Sequence, residues 1–270
     1  MVYHQKDSLS QNFIKFPQLI TELLNASNIN QKDTVVEIGP GKGIITRQLI
    51  KRAKNVIAIE KDKNLHDDLA DLKGESNLKI FYQDFLKFNL PVTPYKIFSN
   101  IPFSITSEIL NRILKSSLLP ESMYLIMQRE TAQKFAGIPR ETQSSILTKP
   151  WYEIKILGDI DRTNFTLKPQ VVIVFVEFIK REFSLIKIEN KKLFRDFVTY
   201  GFSQWQPTIE KAYKDIFSYK QFKSIDKNLK ITQSKPGDVS LENWIKLFEI
   251  YQKFVPQKTK ELVTDFRYIH

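Results

Sequence analysis

Residues 35–43 read Val35-Val36-Glu37-Ile38-Gly39-Pro40-Gly41-Lys42-Gly43, a β-branched run that gives way to three glycines at alternate positions. Such a stretch predicts a strand, a tight turn and the start of a helix. Glycine is needed there because it reaches positive φ without strain and lets bare backbone approach a ligand. A dinucleotide-binding fingerprint would place its third glycine at position 44, which is Ile44 in this chain. On the glycines alone, a plain structural turn stays open as the other reading.

Working outward, short apolar runs alternate with helical spacing. Thr34–Ile38, Asn55–Ile59, Leu78–Tyr82, Tyr95–Ser99 and Met123–Met127 read as buried strands. Ile44–Arg52, Lys63–Leu72 and Thr106–Leu114 between them read as helices. That alternation implies βαβ units and an α/β fold with a mainly parallel sheet. Tyr152–Leu157 and Val171–Phe178 lack an obvious long helix between them and suit an antiparallel edge pair. Ile14–Leu24 reads as an amphipathic helix ahead of the first strand. After about Lys180 the strand pattern stops, and Lys192–Phe202, Thr208–Phe217 and Leu241–Phe254 read as helices, the last begun by Ser240 as N-cap. The expectation is a catalytic α/β domain over 1–180 and a small helical domain over 181–270.

The chain has 270 residues and a formal charge of +11, enough length for a proper core and an excess that suits a polyanionic partner. Residues 181–270 hold 17 Lys+Arg against 11 Asp+Glu, so over half of the excess sits in the last third. Free use of Lys in an AT-rich genome accounts for part of it. The absence of cysteine excludes disulfides and thiolate metal sites. His4, His66 and His270 are scattered, which argues against a histidine-metal site. No apolar stretch approaches the roughly 20 residues needed to span a bilayer, so the chain is expected to be soluble and cytoplasmic.

Three positions fall in register with the glycine loop. G-x-G-x-G suits the doubly wound sheets that bind S-adenosylmethionine (SAM). Glu60 closes the second strand, where a carboxylate, which only accepts hydrogen bonds, can hold both ribose hydroxyls. Asp84 follows the third strand, in position to accept from the cofactor's adenine amino group; alone it would be ordinary turn chemistry. Ser99-Asn100-Ile101-Pro102-Phe103 ends the fourth strand and faces the cofactor, because ligands sit at the carboxyl ends of the strands. The Asn100 side-chain oxygen and the Ile101 backbone carbonyl offer two acceptors for the two N–H groups of an exocyclic amine. Drawing that amine toward tetrahedral geometry localises its lone pair for attack on a sulfonium methyl. Pro102 stiffens the turn and Phe103 offers a face on which a base can stack. No general base of shifted pKa is required.

Gln11-Asn12-Phe13, Glu37 to Gly43, Glu60, Asp84 and Asn100-Ile101-Pro102-Phe103 stand in the order seen in rRNA adenine N6-methyltransferases, and Phe165-Thr166-Leu167-Lys168-Pro169-Gln170-Val171 looks like that family's late Phe-x-Pro-x-Pro-x-Val segment. Over about residues 8–180 the chain resembles that family, most closely its Erm group, the macrolide-resistance methyltransferases of 23S rRNA. The resemblance implies a Rossmann-like SAM-dependent sheet with a C-terminal helical RNA-binding domain. It further implies N6-methylation of one 23S adenosine by a monomer, with resistance to macrolides, lincosamides and streptogramin B. Carried over by position, Gln11, Asn12, Gly39, Gly41, Glu60, Asp84 and Asn100 would hold SAM. Asn100 and Ile101 would act on the amine, and Phe103 and Phe165 would sandwich the target base. The chain departs from the pattern at Leu167, where the family has its first proline, at Gln170, where Lys is common, and at Phe103, where Tyr is commoner. A Phe in a β-rich segment is core by default, so Phe165 keeps both readings. The rivals are the housekeeping dimethyltransferase of 16S rRNA, which shares every motif, and a non-catalytic nucleic-acid-binding factor on the same fold. A nicotinamide dehydrogenase fails on Ile44. Trp205 and Trp244 read as helix-packing residues.

Overall fold

A run such as Thr34–Ile38 buries both faces of its pleat, Val36 and Ile38 on one and Val35 and Glu37 on the other, and only a sheet covered on both sides can do so. In the computed structural model, which describes residues 12–204 and 208–264, that sheet has seven strands. In chain order the elements are α1 (Pro17–Asn25), β1 (Thr34–Ile38), α2 (Thr46–Arg52), β2 (Asn55–Glu60), β3 (Leu78–Tyr82), β4 (Lys96–Asn100), α3 (Thr106–Leu114), β5 (Ser122–Gln128), α4 (Arg129–Ala136) and α5 (Gln143–Thr148). They continue with β6 (Tyr152–Ile160), β7 (Ile173–Lys180), α6 (Lys191–Ser203), α7 (Ile209–Ala212), α8 (Tyr219–Leu229), α9 (Leu241–Phe254) and α10 (Gln257–Thr264). The sheet order is β3-β2-β1-β4-β5-β7-β6. The first five strands of that order run parallel, and β7 lies antiparallel to β5. The order reverses between β1 and β4, which opens a crevice at their carboxyl ends.

The described chain forms two compact units, one of residues 12–132 with Glu153–Lys180, the other of Gln133–Tyr152 with 181–264. Residues 133–152, which a single boundary at 180 assigns to the first unit, group with the second. In the first unit Val35, Val36, Ile97, Phe98 and Met123 are shut off from solvent. A polar network closes the sheet's amino-terminal edge. Lys96 Nζ donates to Asp33 Oδ2 (2.9 Å) and to the Asn28 carbonyl (2.8 Å). Ser122 Oγ donates to Asn28 Oδ1 (3.1 Å), and the Tyr124 hydroxyl accepts from the Asn28 N–H and donates to Glu177 (3.2 Å). The α1–β1 connection is thereby fastened to β4, β5 and β7.

In the second unit the Phe197 ring packs against Tyr213 and Tyr251, each with centroids 4.7 Å away, and against Trp244 and Phe248. Tyr213 donates to the Phe197 carbonyl (2.7 Å), and a Cβ on Gly201 would run into the Tyr213 ring. Trp244 is fully buried, with its indole N–H on the Pro236 carbonyl (3.2 Å), so it packs helices as expected. Trp205 lies outside the described residues.

Several elements differ from the sequence reading: the helix expected over Ile14–Leu24 begins only at Pro17, with Ile14 in a β-bridge to Phe165, and the reading has no helix at α4, α5, α8 or α10. Lys63–Leu72 is not one α-helix but two 3-10 segments, Lys63–Leu65 and Asp67–Leu72. Asp62 accepts from the Asn64 N–H two residues on, which tightens the first turn, while Leu65, Leu69 and Leu72 still face inward. Thr208–Phe217 shrinks to the single-turn α7, and the chain folds back into α8, opened by the reciprocal cap of Ser218 and Gln221.

Lys96 and Asp33 are both nearly buried, so removing one leaves the other's charge uncompensated. Lys96→Met should destabilise the protein by about 3 kcal/mol, read as a lower urea midpoint with an unchanged slope; an unchanged midpoint would show that the pair holds nothing together.

Candidate active site

The glycine loop adopts the backbone its residues were read for: Gly39, Gly41 and Gly43 have φ of 66°, 59° and 76°. At Gly41 a side chain is barred twice over, because a Cβ would also come within 2.7 Å of the Phe13 ring. The loop is held from below by Glu60, 3% exposed at the end of β2. One carboxylate oxygen of Glu60 accepts from the Gly41 N–H (3.0 Å) and the other from the Asp62 N–H (2.7 Å). Each oxygen keeps a second lone pair for a diol. The Gly39 N–H binds the Ile59 carbonyl (2.9 Å), and Ser99 Oγ donates to the Ile38 carbonyl (2.6 Å), so β1, β2 and β4 present their ends together.

These ends open into a cleft of about 690 Å3 within the first unit. Asn12, Gly39, Gly41, Glu60, Asp84, Asn100, Ile101 and Phe103 all line it. Gln11 lies outside the described residues. Asn100 Nδ2 donates to the Asn12 carbonyl (2.8 Å), while Oδ1 is buried without a hydrogen-bond partner. A buried orphan acceptor is costly, and a donor brought by a ligand would satisfy it. The Ile101 N–H is fixed on the Ile126 carbonyl (3.1 Å). Asp84 accepts from the Leu86 N–H (2.9 Å) and pairs with Lys61 (3.1 Å). That backbone hydrogen bond first, and Lys61 after it, hold its carboxyl below the usual range, so it stays an acceptor.

Phe165 is placed otherwise. It is 0% exposed, belongs to the core cluster with Ile14 and Phe175, and is not on the cleft wall. The cause is a pairing between distant segments. Ile14 and Phe165 form an antiparallel bridge, flanked by hydrogen bonds from Lys15 N to Asn164 O and from Thr166 N to Phe13 O, both 2.8 Å. The ring is thus turned into the core, and of the two phenylalanines only Phe103 lines the cleft.

Three features went unread in the sequence. Phe13 packs over Gly41, and Lys61 guards Asp84; the only signal for Lys61 was its place beside Glu60. Glu37 is the third. It is buried beneath the loop, where Thr46 Oγ1 donates to one of its oxygens (2.7 Å) and the other has no hydrogen-bond partner. Burial, reinforced by the negative charge of Glu60 and opposed by the Thr46 bond, pushes its carboxyl up to about 8. Among the described residues no His/Cys/Asp/Glu group could hold a metal, and no helix is long and apolar enough to cross a membrane.

An acid whose folded pKa is raised contributes stability that is fully present below its unfolded pKa, near 4.5, and is lost as pH rises through the folded value near 8. Ionising Glu37 should therefore cost the native state a few kcal/mol by pH 8.5. Glu37→Gln should gain stability on the native chain between pH 5 and 8.5, in urea melts at each pH. A difference that stays constant across that window would contradict this assignment.

The family model for ribosomal RNA adenine dimethylase matches residues 2–253. An rRNA adenine N-6-methyltransferase of Limosilactobacillus reuteri is 33% identical over 247 residues, spanning 91% of this chain and 96% of that protein. The ribosomal RNA small subunit methyltransferase A of Mycoplasma mobile is 31% identical over 255 residues, spanning 92% and 98%. Among solved structures, the 23S rRNA methyltransferase ErmE shares the fold with a TM-score of 0.77, at 24% identity over 90% of this chain and 100% of that one. With its α/β sheet, glycine loop and Asn100-Ile101-Pro102-Phe103 turn in place, the chain belongs to the ribosomal RNA adenine dimethylase family.

Proposed function

We propose that this member of the family methylates N6 of one adenosine in 23S rRNA, and so confers resistance to macrolides, lincosamides and streptogramin B. The observation that carries the chemistry is the buried, unpaired Oδ1 of Asn100 on the cleft wall. The glycine backbone at Gly39 and Gly41, the second lone pairs of Glu60 and the ionised Asp84 fit SAM, respectively at its amino-acid end, ribose and adenine. Asn12 also lines the cleft, and Gln11 is assigned to this set by the resemblance alone. When bound, SAM supplies an electrophilic sulfonium methyl.

The chain's own residues do the rest. Asn100 Oδ1 and the Ile101 carbonyl accept hydrogen bonds from the two amine N–H groups, which draws the nitrogen lone pair out of the adenine ring. Nδ2 of Asn100, anchored on Asn12, keeps the amide from turning its donor toward the amine. Phe103 stacks on the target base once that base has left its helix. The amine gains the methyl and sheds one proton to solvent, so no protein base is needed. Pro102, lacking an N–H, leaves the Ile101 carbonyl held in a stiff turn. Lysines of the helical unit supply salt-sensitive phosphate contacts. The preference for 23S rests on the Ile101-Pro102-Phe103 form of the motif. The 16S reading is favoured by the likeness to the Mycoplasma mobile small-subunit enzyme, so target identity must be measured.

Labelled methyl transfer to purified 23S and 16S rRNA, with the modified nucleoside mapped by mass spectrometry of RNA fragments, decides between them. Label at one 23S adenosine is expected. Label in paired 16S adenosines would transfer the chain to the housekeeping branch, and RNA binding without label would leave a binding factor. Phe103→Ala should lower kcat/KM by about 1–3 kcal/mol through lost stacking, with SAM affinity kept; an unchanged kcat/KM would make Phe103 a packing residue only.

A further inference from the structure

Among the described residues of the second unit three aromatic rings are exposed, Phe183, Tyr219 and Phe254, and the last two lie at helix ends that are tied together. Tyr219, at the start of α8, is 71% exposed, and Phe254, at the end of α9, is 56% exposed. A lysine ammonium sits over each ring, Lys223 at 4.8 Å from the Tyr219 centroid and Lys253 at 5.2 Å from that of Phe254. The two rings stand on neighbouring helix ends. The Gln221 amide accepts from the Ser218 N–H (2.7 Å) and donates to the Phe254 carbonyl (2.9 Å), which ties the start of α8 to the end of α9. α8 buries Phe222 and Ile225, leaving Tyr219, Lys223 and Lys227 in line on its outer face at helical i, i+4 spacing.

The charge around the rings is mainly positive. Lys220, Lys223, Lys227 and Lys230 face a single acid, Asp226, in and just after α8, and Asp226 is engaged with Thr232 (2.6 Å). Around Phe254, Lys253, Lys258 and Lys260 stand against Glu249 and Glu261, an excess of one positive charge. The first turn of α8 has no acidic residue, and lysines near a helix N-terminus work against its dipole, a cost that an anionic partner would offset. Exposed aromatic faces beside lysines are what unpaired nucleotides require: a stacking platform and a charge for each phosphate.

We propose that Tyr219 and Phe254, with Lys223 and Lys253, form a docking site for single-stranded RNA, built from none of the residues that line the cleft. The lysine covers one face of each ring and a base stacks on the other. This deepens the rRNA reading, on which its place in the reaction rests, by naming the surface and the RNA state it prefers.

The test is fluorescence anisotropy of the full chain with a labelled, unstructured RNA of about 20 nucleotides, and with a duplex of equal length. Tyr219→Ala with Phe254→Ala should weaken single-strand binding about tenfold or more and leave duplex binding unchanged, while Tyr219→Phe binds as the native chain does. Lys223→Gln with Lys253→Gln should flatten the log K against log salt slope by about 1.4. Native single-strand affinity in the double alanine variant would overturn the proposal and assign the patch to a protein partner. Equal loss on the duplex, or an unchanged salt slope, would overturn it too. A native chain that labels neither rRNA but shows these binding differences would contradict the methylation target and leave this site standing.

Discussion

One hydrogen bond sets the direction of the Asn100 amide on the cleft wall, and the proposed chemistry depends on it. Asn100 Nδ2 is held by the Asn12 carbonyl, so Oδ1 is the atom left without a partner. That carbonyl is fixed because the chain just after it pairs with Asn164–Thr166, which in turn places Phe165 in the core. A core pairing and the proposed catalytic acceptor are therefore two ends of one constraint. Ser99, the preceding residue, locks the end of β4 to β1, so the amide sits on the sheet rather than on a loose loop.

Beneath the cleft, two carboxylates divide the labour. Glu60 is satisfied by two backbone N–H groups, which organises the glycine loop while leaving lone pairs for a ligand. Glu37, deeper and short of donors, has its proton affinity raised by burial. The loop can approach a ligand closely because Gly41 has no side chain, and the Phe13 ring fills the space that one would take. The site thus gains its cradle from backbone, and its polarity from a few side chains with the right vacancies.

Much of this was legible from sequence where the signal is local. Strands β1 and β3 and helices α3 and α9 have the bounds that their periodicity implies, and the three glycines take the positive φ their spacing demands. Asn100 to Phe103 is contiguous, so its position at a strand end could be read directly. What escaped depends on distant segments or on hydrogen-bond step. Phe165 is turned inward by residues roughly 150 positions earlier, which no motif encodes. The apolar spacing of Leu65, Leu69 and Leu72 marks a buried face, whether the turns are α or 3-10. α8 was missed because its outward lysines dilute its periodicity, although Ser218 and Gln221 spell out its cap.

The central claim is that Asn100 Oδ1 activates the amine. The most direct measurement is single-turnover methyl transfer by Asn100→Ala, with SAM affinity measured on the same protein by calorimetry. The account predicts transfer lowered by at least about a hundredfold, a loss of roughly 2.7 kcal/mol in transition-state stabilisation, with SAM affinity nearly unchanged. Transfer at the native rate with SAM bound would contradict it, and the acceptor would have to be sought elsewhere on the cleft wall.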